Sequence, residues 1–330
     1  MQTEIVTASA PARIDLAGGT LDIWPLYLLH PGSVTVNAAV ALRAEARVAR
    51  RERGVHLRSL DLGVDEEASD ADAIRAPELQ LAARLVAEFA PGLALDVAVH
   101  SRVPRGSGLG GSSTLAIALA GALLRVAGIE LAGERLIDVV QDVETAILRV
   151  PTGRQDYAAA LYGGVSALWW KNGRCDRQAI DPGVLARHLV LVYTGEPHFS
   201  GANNWEVTRT RLDGDKNVAA MLDGIRDVSG AMAEALRQGR VDLAGAALAR
   251  EWDCRKALTP RISTPQIDTL VAAALAAGAW GAKVCGAGGG GCLVALAPVE
   301  RREAVAVALA QGGAQALEAA LDPRGLVVSG

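Results

Sequence analysis

Two patterns of apolar residues follow one another along the chain and predict alternating strands and helices. Strict alternation of apolar and polar positions, as in residues 93–100, places every second side chain on one face of a strand. A spacing of three or four residues, as in residues 77–90, places apolar side chains on one face of a helix. The sequence therefore predicts a protein of mixed helices and sheets.

The predicted elements fall into two halves, with the boundary between residues 165 and 190. Strands are predicted over residues 3–17, 33–49, 54–60, 93–100, 163–170, 189–193, 283–285 and 292–297. Helices are predicted over 77–90, 112–126 and 133–148, and they dominate 216–277. Residues 196–215 are polar and predict an irregular, solvated loop. The alternative is that three polar residues of this segment line a pocket: His198, Asn203 and Asn204.

Composition narrows the class of protein only a little. Of 330 residues, 50% are hydrophobic and 21% are charged, which is typical of a globular enzyme, and the net charge of −4 argues against general nucleic-acid binding. The four cysteines form no C-x-x-C pair, so we expect free thiols in a reducing compartment. Because neither a signal-peptide pattern nor a long apolar run occurs in the sequence, we expect a cytoplasmic protein that does not bind membranes.

Residues 104–114 are the most informative stretch of the chain. Their sequence, PRGSGLGGSST, joins the strand predicted over 93–100 to the apolar helix predicted over 112–126. Small residues leave backbone N–H groups open to a ligand, and the N-terminus of a helix adds positive potential. This glycine loop (residues 104–114) is therefore suited to an anion, above all a nucleotide phosphate.

Two other phosphate-binding patterns and a plain turn explain the glycine loop less well. Gly106, Gly108 and Gly111 match the dinucleotide pattern G-x-G-x-x-G, but no second strand follows the predicted helix. Gly106 and Gly111 also match the outer glycines of G-x-x-x-x-G-K-[ST], but Ser112 stands where that pattern requires lysine. A tight turn needs one glycine rather than four glycines followed by two adjacent serines, so a different phosphate loop is indicated.

Three stretches of the sequence resemble, in the same order, the three motifs of the GHMP kinases, the superfamily of galactokinase, homoserine kinase, mevalonate kinase and phosphomevalonate kinase. The first is PARIDLAGGTLD at residues 11–22, the second is PRGSGLGGSS at 104–113, and the third is GAKVCGAGGGGC at 281–292. The resemblance covers both halves of the chain, and the three motifs together are specific.

The resemblance implies a fold of the α+β class with two domains. Residues 1–180 would form an N-terminal, nucleotide-binding domain of the ribosomal-protein-S5-like α/β type, and residues 181–330 a C-terminal, ferredoxin-like α+β domain. It further implies an ATP-dependent kinase that requires Mg²⁺ and acts on a small molecule. The expected protein is a monomer or homodimer, without nucleic-acid or membrane partners.

The first motif and residues 144–156 narrow the expected substrate. Galactokinase- and mevalonate-kinase-type members usually carry Gly-Glu-His in the first motif, where this chain has Gly18-Gly19-Thr20. The double glycine and the segment ETAILRVPTGRQD at 144–156 resemble heptose-phosphate kinases and fucokinases, although Tyr157 replaces their second glutamine. The resemblance implies phosphorylation of a heptose phosphate, such as D-glycero-D-manno-heptose 7-phosphate, at its anomeric hydroxyl. Alternatives are a fucokinase- or galactokinase-like enzyme and a non-catalytic sugar or nucleotide sensor.

The resemblance also implies a role for individual residues. Asp156 and Arg13 would be catalytic, and Ser112 and Glu144 would bind the metal. The residues expected to bind ATP lie in the glycine loop: Pro104, Gly106, Ser107, Gly108, Leu109, Gly110, Gly111, Ser112 and Ser113. The residues expected to contact the substrate come from the first and third motifs and from two further segments: Gly18, Gly19, Asp22, Asp156, Tyr193 and Gly288.

Each of these side chains also has a purely structural alternative. Ser112 can cap a helix, and Glu144 can be a surface residue or a partner of Arg149. Arg13 and Asp156 can form a buried structural salt bridge. Asp22 can simply stabilise a turn.

Overall fold

The computed structural model describes residues 4–131, 133–197, 200–318 and 320–330, and in 200–202 only the backbone. In chain order the strands are β1 (Ile5–Ala17), β2 (Val34–Arg50), β3 (Val55–Ser59), β4 (Val64–Ala68), β5 (Leu95–Ser101), β6 (Val165–Lys171), β7 (Arg174–Ile180), β8 (Leu189–Tyr193), β9 (Gly281–Val284), β10 (Cys292–Leu296), β11 (Gln315–Ala316) and β12 (Val327–Ser329). The helices are α1 (Leu26–Leu29), α2 (Gln80–Phe89), α3 (Gly111–Ala127), α4 (Glu134–Leu148), α5 (Gln155–Tyr162), α6 (Gly183–Ala186), α7 (Ser200–Leu212), α8 (Lys216–Arg237), α9 (Val241–Lys256), α10 (Pro265–Ala276) and α11 (Arg302–Gln311).

The strands form one sheet of eight and one of four. The first sheet runs β12-β1-β2-β5-β3-β4, with β6 pairing to the first part of β2 and β7 pairing to β6. Pro11 lacks an N–H group, and β1 shifts its register between Pro11 and Ala12 rather than ending there. The second sheet runs β11-β8-β10-β9 and is antiparallel throughout.

Helix α3 lies at the centre of the first half of the chain. Every residue from Ala116 to Leu124 is buried, and the helix contacts α2, α4, α5, β1 and β2. A helix that is apolar all round is stable only when neighbours cover it on every side. This burial fixes the N-terminus of α3 at Gly111, where the glycine loop ends.

The structure confirms most predicted elements and corrects others. Residues 200–212, predicted as part of an irregular loop, form α7. Two of the residues on its buried face, Asn203 and Thr208, are polar and only Val207 is apolar, so periodicity of apolar residues did not reveal it. The predicted pattern also missed α5, β4 and β7. Among the described residues, no helix is both long and apolar enough to cross a membrane.

The division of the chain at residue 180 stays a prediction. The eight-stranded sheet takes its strands β1 to β7 from residues before this point, and the four-stranded sheet takes all of its strands from residues after it. β12 is the exception, because this strand lies after the division in sequence but pairs with β1 in the first sheet.

A buried cluster of four charged side chains links the two halves. Lys283 on β9 lies 3.2 Å from Asp15 on β1 and 2.9 Å from Glu251 on α9. Arg255 on α9 binds Glu251 through Nε at 2.9 Å, and all four side chains are at most 1% exposed. Although burial favours protonation of Glu251, the charges of Arg255 and Lys283 outweigh it and lower the pKa of Glu251 to about 2.

Replacing Lys283 by methionine is expected to lower the free energy of unfolding by about 3–5 kcal/mol, because two buried carboxylates then lose their shared cation. Urea denaturation at neutral pH measures this change. Lys256→Met is the matched control, since Lys256 pairs with Asp253 at an exposed position and such pairs contribute about 1 kcal/mol or less. If both substitutions lowered the free energy of unfolding by the same amount, the buried cluster would not stabilise the fold as described.

Candidate active site

A cleft of about 530 Å³ lies where the three sequence motifs meet. Its walls come from the turn after β1, the glycine loop, the segment before α5 and the loop after β9. Apolar side chains of α2 and β5, including Leu81 and Val99, also line the cleft. The cleft thus has room for a nucleotide and a small acceptor together.

The backbone of the glycine loop requires glycine at several positions. Gly106, Gly108 and Gly110 have φ values of 66°, 73° and 74°, which favour glycine. A Cβ atom on Gly110 would also lie 3.0 Å from the carboxylate of Asp156. Since α3 begins at the next residue and Ser112 is exposed in its first turn, the loop presents N–H groups and a hydroxyl to the cleft.

The third motif supports the glycine loop from behind. The N–H of Cys292 donates to the carbonyl of Ser107 at 2.7 Å, and a Cβ atom on Gly108 would lie 2.5 Å from the carbonyl oxygen of Cys285. The two loops therefore pack backbone to backbone. Only Gly286 and Ala287 of this motif line the cleft.

Arg13 and Asp156 form an ion pair at the cleft. Nε and Nη2 of Arg13 lie 2.8 Å and 2.6 Å from Oδ1 of Asp156, and Nη1 donates to the carbonyl of Gly108. Burial opposes the charge of Arg13, but Asp156 and Asp15 favour it and the pKa of Arg13 is raised. Arg13 is 5% exposed and Asp156 is 22% exposed at the side chain, so the carboxylate is the partner that meets the cleft.

Glu144 lies buried beneath the first turn of α3. Its Oε2 accepts hydrogen bonds from Ser113 Oγ at 2.8 Å and from the Tyr157 hydroxyl at 2.7 Å. Burial raises the pKa of Glu144, while hydrogen bonds from Ser112, Tyr157 and Ser113 oppose the rise. Tyr157, which replaces a glutamine of the resembling motif, therefore binds the carboxylate expected to hold a metal.

The donor set of Ser112 and Glu144 fits Mg²⁺. Both side chains supply oxygen, the element that Mg²⁺ prefers, and a buried carboxylate is stabilised by a cation. Among the described residues, no group of three or more His, Cys, Asp or Glu side chains is arranged to hold a metal. Two protein oxygens are nevertheless enough where nucleotide phosphates and water complete the coordination.

Asp22 and Asn204 supply further polar groups to the cleft. Oδ2 of Asp22 accepts from the N–H of Gln155 at 2.9 Å, whereas Oδ1 is buried without a hydrogen-bond partner in the described part of the chain. Burial raises the pKa of Asp22 to about 7. Gly153 is needed beside it, since a Cβ atom there would lie 2.5 Å from Oδ2 of Asp22.

The structure brings most, but not all, of the predicted site residues together. Arg13, Gly19, Asp22, Glu144, Asp156 and all nine predicted ATP-binding residues of the glycine loop line the cleft. Gly18, Tyr193 and Gly288, predicted to contact substrate, lie outside its lining. Tyr193 pairs with Cys292 inside the second sheet, and a Cβ on Gly288 would meet the carbonyl of Ile262 at 2.6 Å. The backbones of Tyr193 and Gly288 pack directly against other segments of the same polypeptide, so these two residues have a packing role.

Several residues of the cleft were missed by sequence reasoning. Thr20 and Gln155 stand beside predicted residues but have no motif role of their own, and Asn204 was named only as an alternative in a segment predicted to be a solvated loop. Asn203, the other asparagine of that segment, instead donates to the carbonyl of Ala287 at 3.1 Å. His198 lies outside the described residues.

Comparisons with known proteins agree with the three motifs. The family model described as GHMP kinases N terminal domain matches residues 78–164, and the model described as GHMP kinases C terminal matches 232–315. A mevalonate kinase from Thermococcus gammatolerans is 29% identical over 342 residues and covers 97% of each chain. A D-glycero-alpha-D-manno-heptose 7-phosphate kinase from Campylobacter jejuni is 26% identical over 301 residues and covers 87% of each chain.

A solved structure confirms the predicted fold. The crystal structure of a D-glycero-D-manno-heptose 1-phosphate kinase from Bacteriodes thetaiotaomicron matches with a TM-score of 0.78 at 20% identity. The match covers 98% of this chain and 99% of that one. The two-domain α+β architecture expected from the motifs is therefore confirmed.

Replacing Asp22 by asparagine is expected to remove a pH-dependent loss of stability. The pKa of Asp22 rises from 3.8 to about 7 on folding, so the native state binds the proton more tightly and wild-type stability falls as the pH rises through this window. The difference is at most about 4 kcal/mol, or about 1.4 kcal/mol per pH unit.

Urea denaturation of both proteins between pH 4 and pH 8 measures the effect. The asparagine variant keeps an oxygen that accepts from the N–H of Gln155. Its free energy of unfolding should increase relative to that of the wild type as the pH rises. The exposed Asp142→Asn serves as the control. A stability difference between wild type and Asp22→Asn that does not change with pH would show that Asp22 ionises normally.

Proposed function

Because this chain belongs to the GHMP kinases, a family of phosphotransferases, we propose that it transfers the γ-phosphoryl group of ATP to a sugar hydroxyl. The proposed acceptor is a heptose phosphate, phosphorylated at its anomeric hydroxyl. The observation that carries the proposal is the ion pair of Arg13 and Asp156, which lies against the glycine loop in a cleft that Asp22 also lines.

The geometry of Asp156 suits it to align an attacking hydroxyl. Arg13 occupies Oδ1, and a Cβ on Gly110 would lie 3.0 Å from Oδ2, so Oδ2 faces the phosphate end of the cleft. In the proposed reaction the sugar oxygen bonds to the γ-phosphorus, and the bond between that phosphorus and the β–γ bridging oxygen breaks. Asp156 either accepts the hydroxyl proton or orients the hydroxyl electrostatically, while Arg13 offsets negative charge on the transferred group.

The nucleotide phosphates are proposed to bind to the backbone N–H groups of the glycine loop and the N-terminus of α3. Ser112 and Glu144 would hold Mg²⁺ at this point. When bound, the metal offsets charge on the phosphate oxygens and on the leaving group. Ser113 and Tyr157 keep the carboxylate of Glu144 in place through their hydrogen bonds.

A sugar explains the acceptor end of the cleft better than mevalonate does. The carboxylate of Asp22 and the amide of Asn204 are groups that bind hydroxyls. Mevalonate nevertheless remains the second candidate, because a mevalonate kinase is 29% identical over nearly the whole chain.

Release of ADP in the presence of ATP and Mg²⁺ tests the assignment across acceptors. The panel contains D-glycero-D-manno-heptose 7-phosphate, fucose, galactose and mevalonate. We expect the largest kcat/KM with the heptose phosphate. Preference for another sugar would keep the reaction class but change the acceptor, preference for mevalonate would overturn the sugar assignment, and ATP binding without turnover of any acceptor would indicate a sensor.

Asp156→Asn is expected to lower kcat by a factor of about 10² to 10⁴, because the amide neither accepts a proton nor carries the charge that orients the hydroxyl. Binding of ATP, measured by calorimetry, should change little. The exposed Asp142→Asn is the matched control. A variant with near-normal kcat would remove Asp156 from the mechanism.

The double substitution Ser112→Ala with Glu144→Gln is expected to raise the Mg²⁺ concentration needed for half-maximal activity, because two oxygen ligands of the cation are lost or weakened. A titration of initial rate against Mg²⁺ at fixed ATP measures the shift. Thr114→Ser provides a control in the same turn of α3. An unchanged Mg²⁺ requirement would contradict the metal role of this pair.

A further inference from the structure

A chain of three side chains connects the buried charge cluster to the acceptor end of the cleft. Nη1 of Arg255 lies 3.3 Å from Oγ1 of Thr20, and Oγ1 of Thr20 lies 2.9 Å from Oδ1 of Asn204. Arg255 is 1% exposed, whereas Thr20, at 5% exposed, and Asn204 both line the cleft. The chain thus runs from the interior to the surface on which an acceptor would lie.

The chemistry of these groups determines which group donates and which accepts in each of the two hydrogen bonds. A guanidinium only donates hydrogen bonds, so the hydroxyl oxygen of Thr20 accepts from Arg255. The proton of that hydroxyl then needs an acceptor, and Oδ1 of Asn204 lies within reach of it. With its oxygen held by Thr20, Asn204 has its amide –NH₂ group left to bind a ligand.

Further hydrogen bonds hold both Arg255 and Asn204, the two ends of this series of side chains, in place. Arg255 donates through Nη2 to the carbonyl of Gly19 at 2.9 Å and through Nε to Glu251 at 2.9 Å. These bonds fix a turn in which Thr20 has a φ of 75°, an uncommon value for a β-branched residue. At the other end, the hydroxyl of Thr208 donates to the backbone carbonyl of Asn204 at 2.8 Å and ties it into α7.

We propose that Asn204 determines acceptor specificity by donating its amide N–H to an oxygen of the acceptor, and that Thr20 and Arg255 are positioning residues that set the direction of this amide. The proposal rests on the proposed function and names a further contact in the same cleft. Asp22 complements the contact, because its buried Oδ1 is an acceptor without a partner in the described part of the chain. A donor and an acceptor in one cleft suit a polyhydroxylated acceptor.

Thr20→Val removes the hydroxyl but keeps the branched shape, so the amide of Asn204 is free to turn its oxygen toward the acceptor. We expect KM for the acceptor to rise roughly 3- to 30-fold, with KM for ATP unchanged and kcat changed less than twofold. Thr20→Ser, which retains the hydroxyl, should restore KM. Thr269→Val is the matched control, because it removes a hydroxyl that likewise binds a backbone carbonyl four residues earlier, at an exposed position outside the cleft lining.

A double-mutant cycle separates positioning from general loosening of the site. Asn204→Ala should raise KM at least as much as Thr20→Val, and the combined variant should show little more than the Asn204→Ala effect. Arg255→Lys, which keeps the charge but loses the forked donor, should shift KM in the same direction. Additive effects of Thr20→Val and Asn204→Ala, or a normal KM in either single variant, would overturn the proposal.

The outcome is distinguishable from failure of the proposed function. The KM measurements use whichever acceptor the wild type phosphorylates best, so a wrong sugar assignment leaves the cycle intact. Melting temperature and ATP affinity, measured on every variant, identify a variant that fails to fold. A folded Thr20→Val protein with normal acceptor KM contradicts the positioning role even if the sugar assignment holds.

Discussion

The guanidinium of Arg13 is the interaction on which the cleft depends. From one residue of β1, it binds Asp156 of α5 and the carbonyl of Gly108 in the glycine loop, while the backbone N–H of the same residue binds the carbonyl of Leu109 at 3.1 Å. A planar group with fixed donor directions holds these partners more strictly than a flexible ammonium would. Because Arg13 is buried, it has little freedom to exchange partners for water. The glycine loop and the carboxylate of Asp156 are therefore held side by side.

The second half of the chain completes this arrangement through two kinds of contact. Glycines of the third motif allow the loop after β9 to approach the glycine loop at backbone distance, and the buried cluster of Asp15, Lys283, Glu251 and Arg255 joins β1 to α9 and β9. The two kinds of contact position different parts of the cleft. The glycine packing positions the phosphate end, whereas Arg255 contacts the turn that carries Thr20 at the acceptor end. Folding of the two halves against each other is thus what assembles both ends of the cleft.

Sequence patterns predicted the parts of this account that depend on local chemistry. The glycine loop and the helix after it followed from the small residues and the apolar spacing, whereas the roles of Arg13 and Asp156, which lie 143 positions apart, were implied by the family resemblance. Helix α7 was missed because its buried face is partly polar, and Asn204 was therefore only an alternative pocket-lining residue in a predicted loop. Tyr193 and Gly288 were placed in the site because motif proximity does not distinguish a residue that lines a cleft from one that packs behind it. Contacts such as those of Arg255 with Thr20 join residues 235 positions apart and have no local signal.

The central claim is that this cleft joins a phosphoryl group to a sugar hydroxyl aligned by Asp156. Phosphorus NMR of the product formed from ATP, Mg²⁺ and D-glycero-D-manno-heptose 7-phosphate tests it most directly. The account predicts a second phosphate signal that correlates with the anomeric proton of the sugar. Formation of ADP and inorganic phosphate alone, or phosphate transfer to mevalonate but to no sugar, would contradict it.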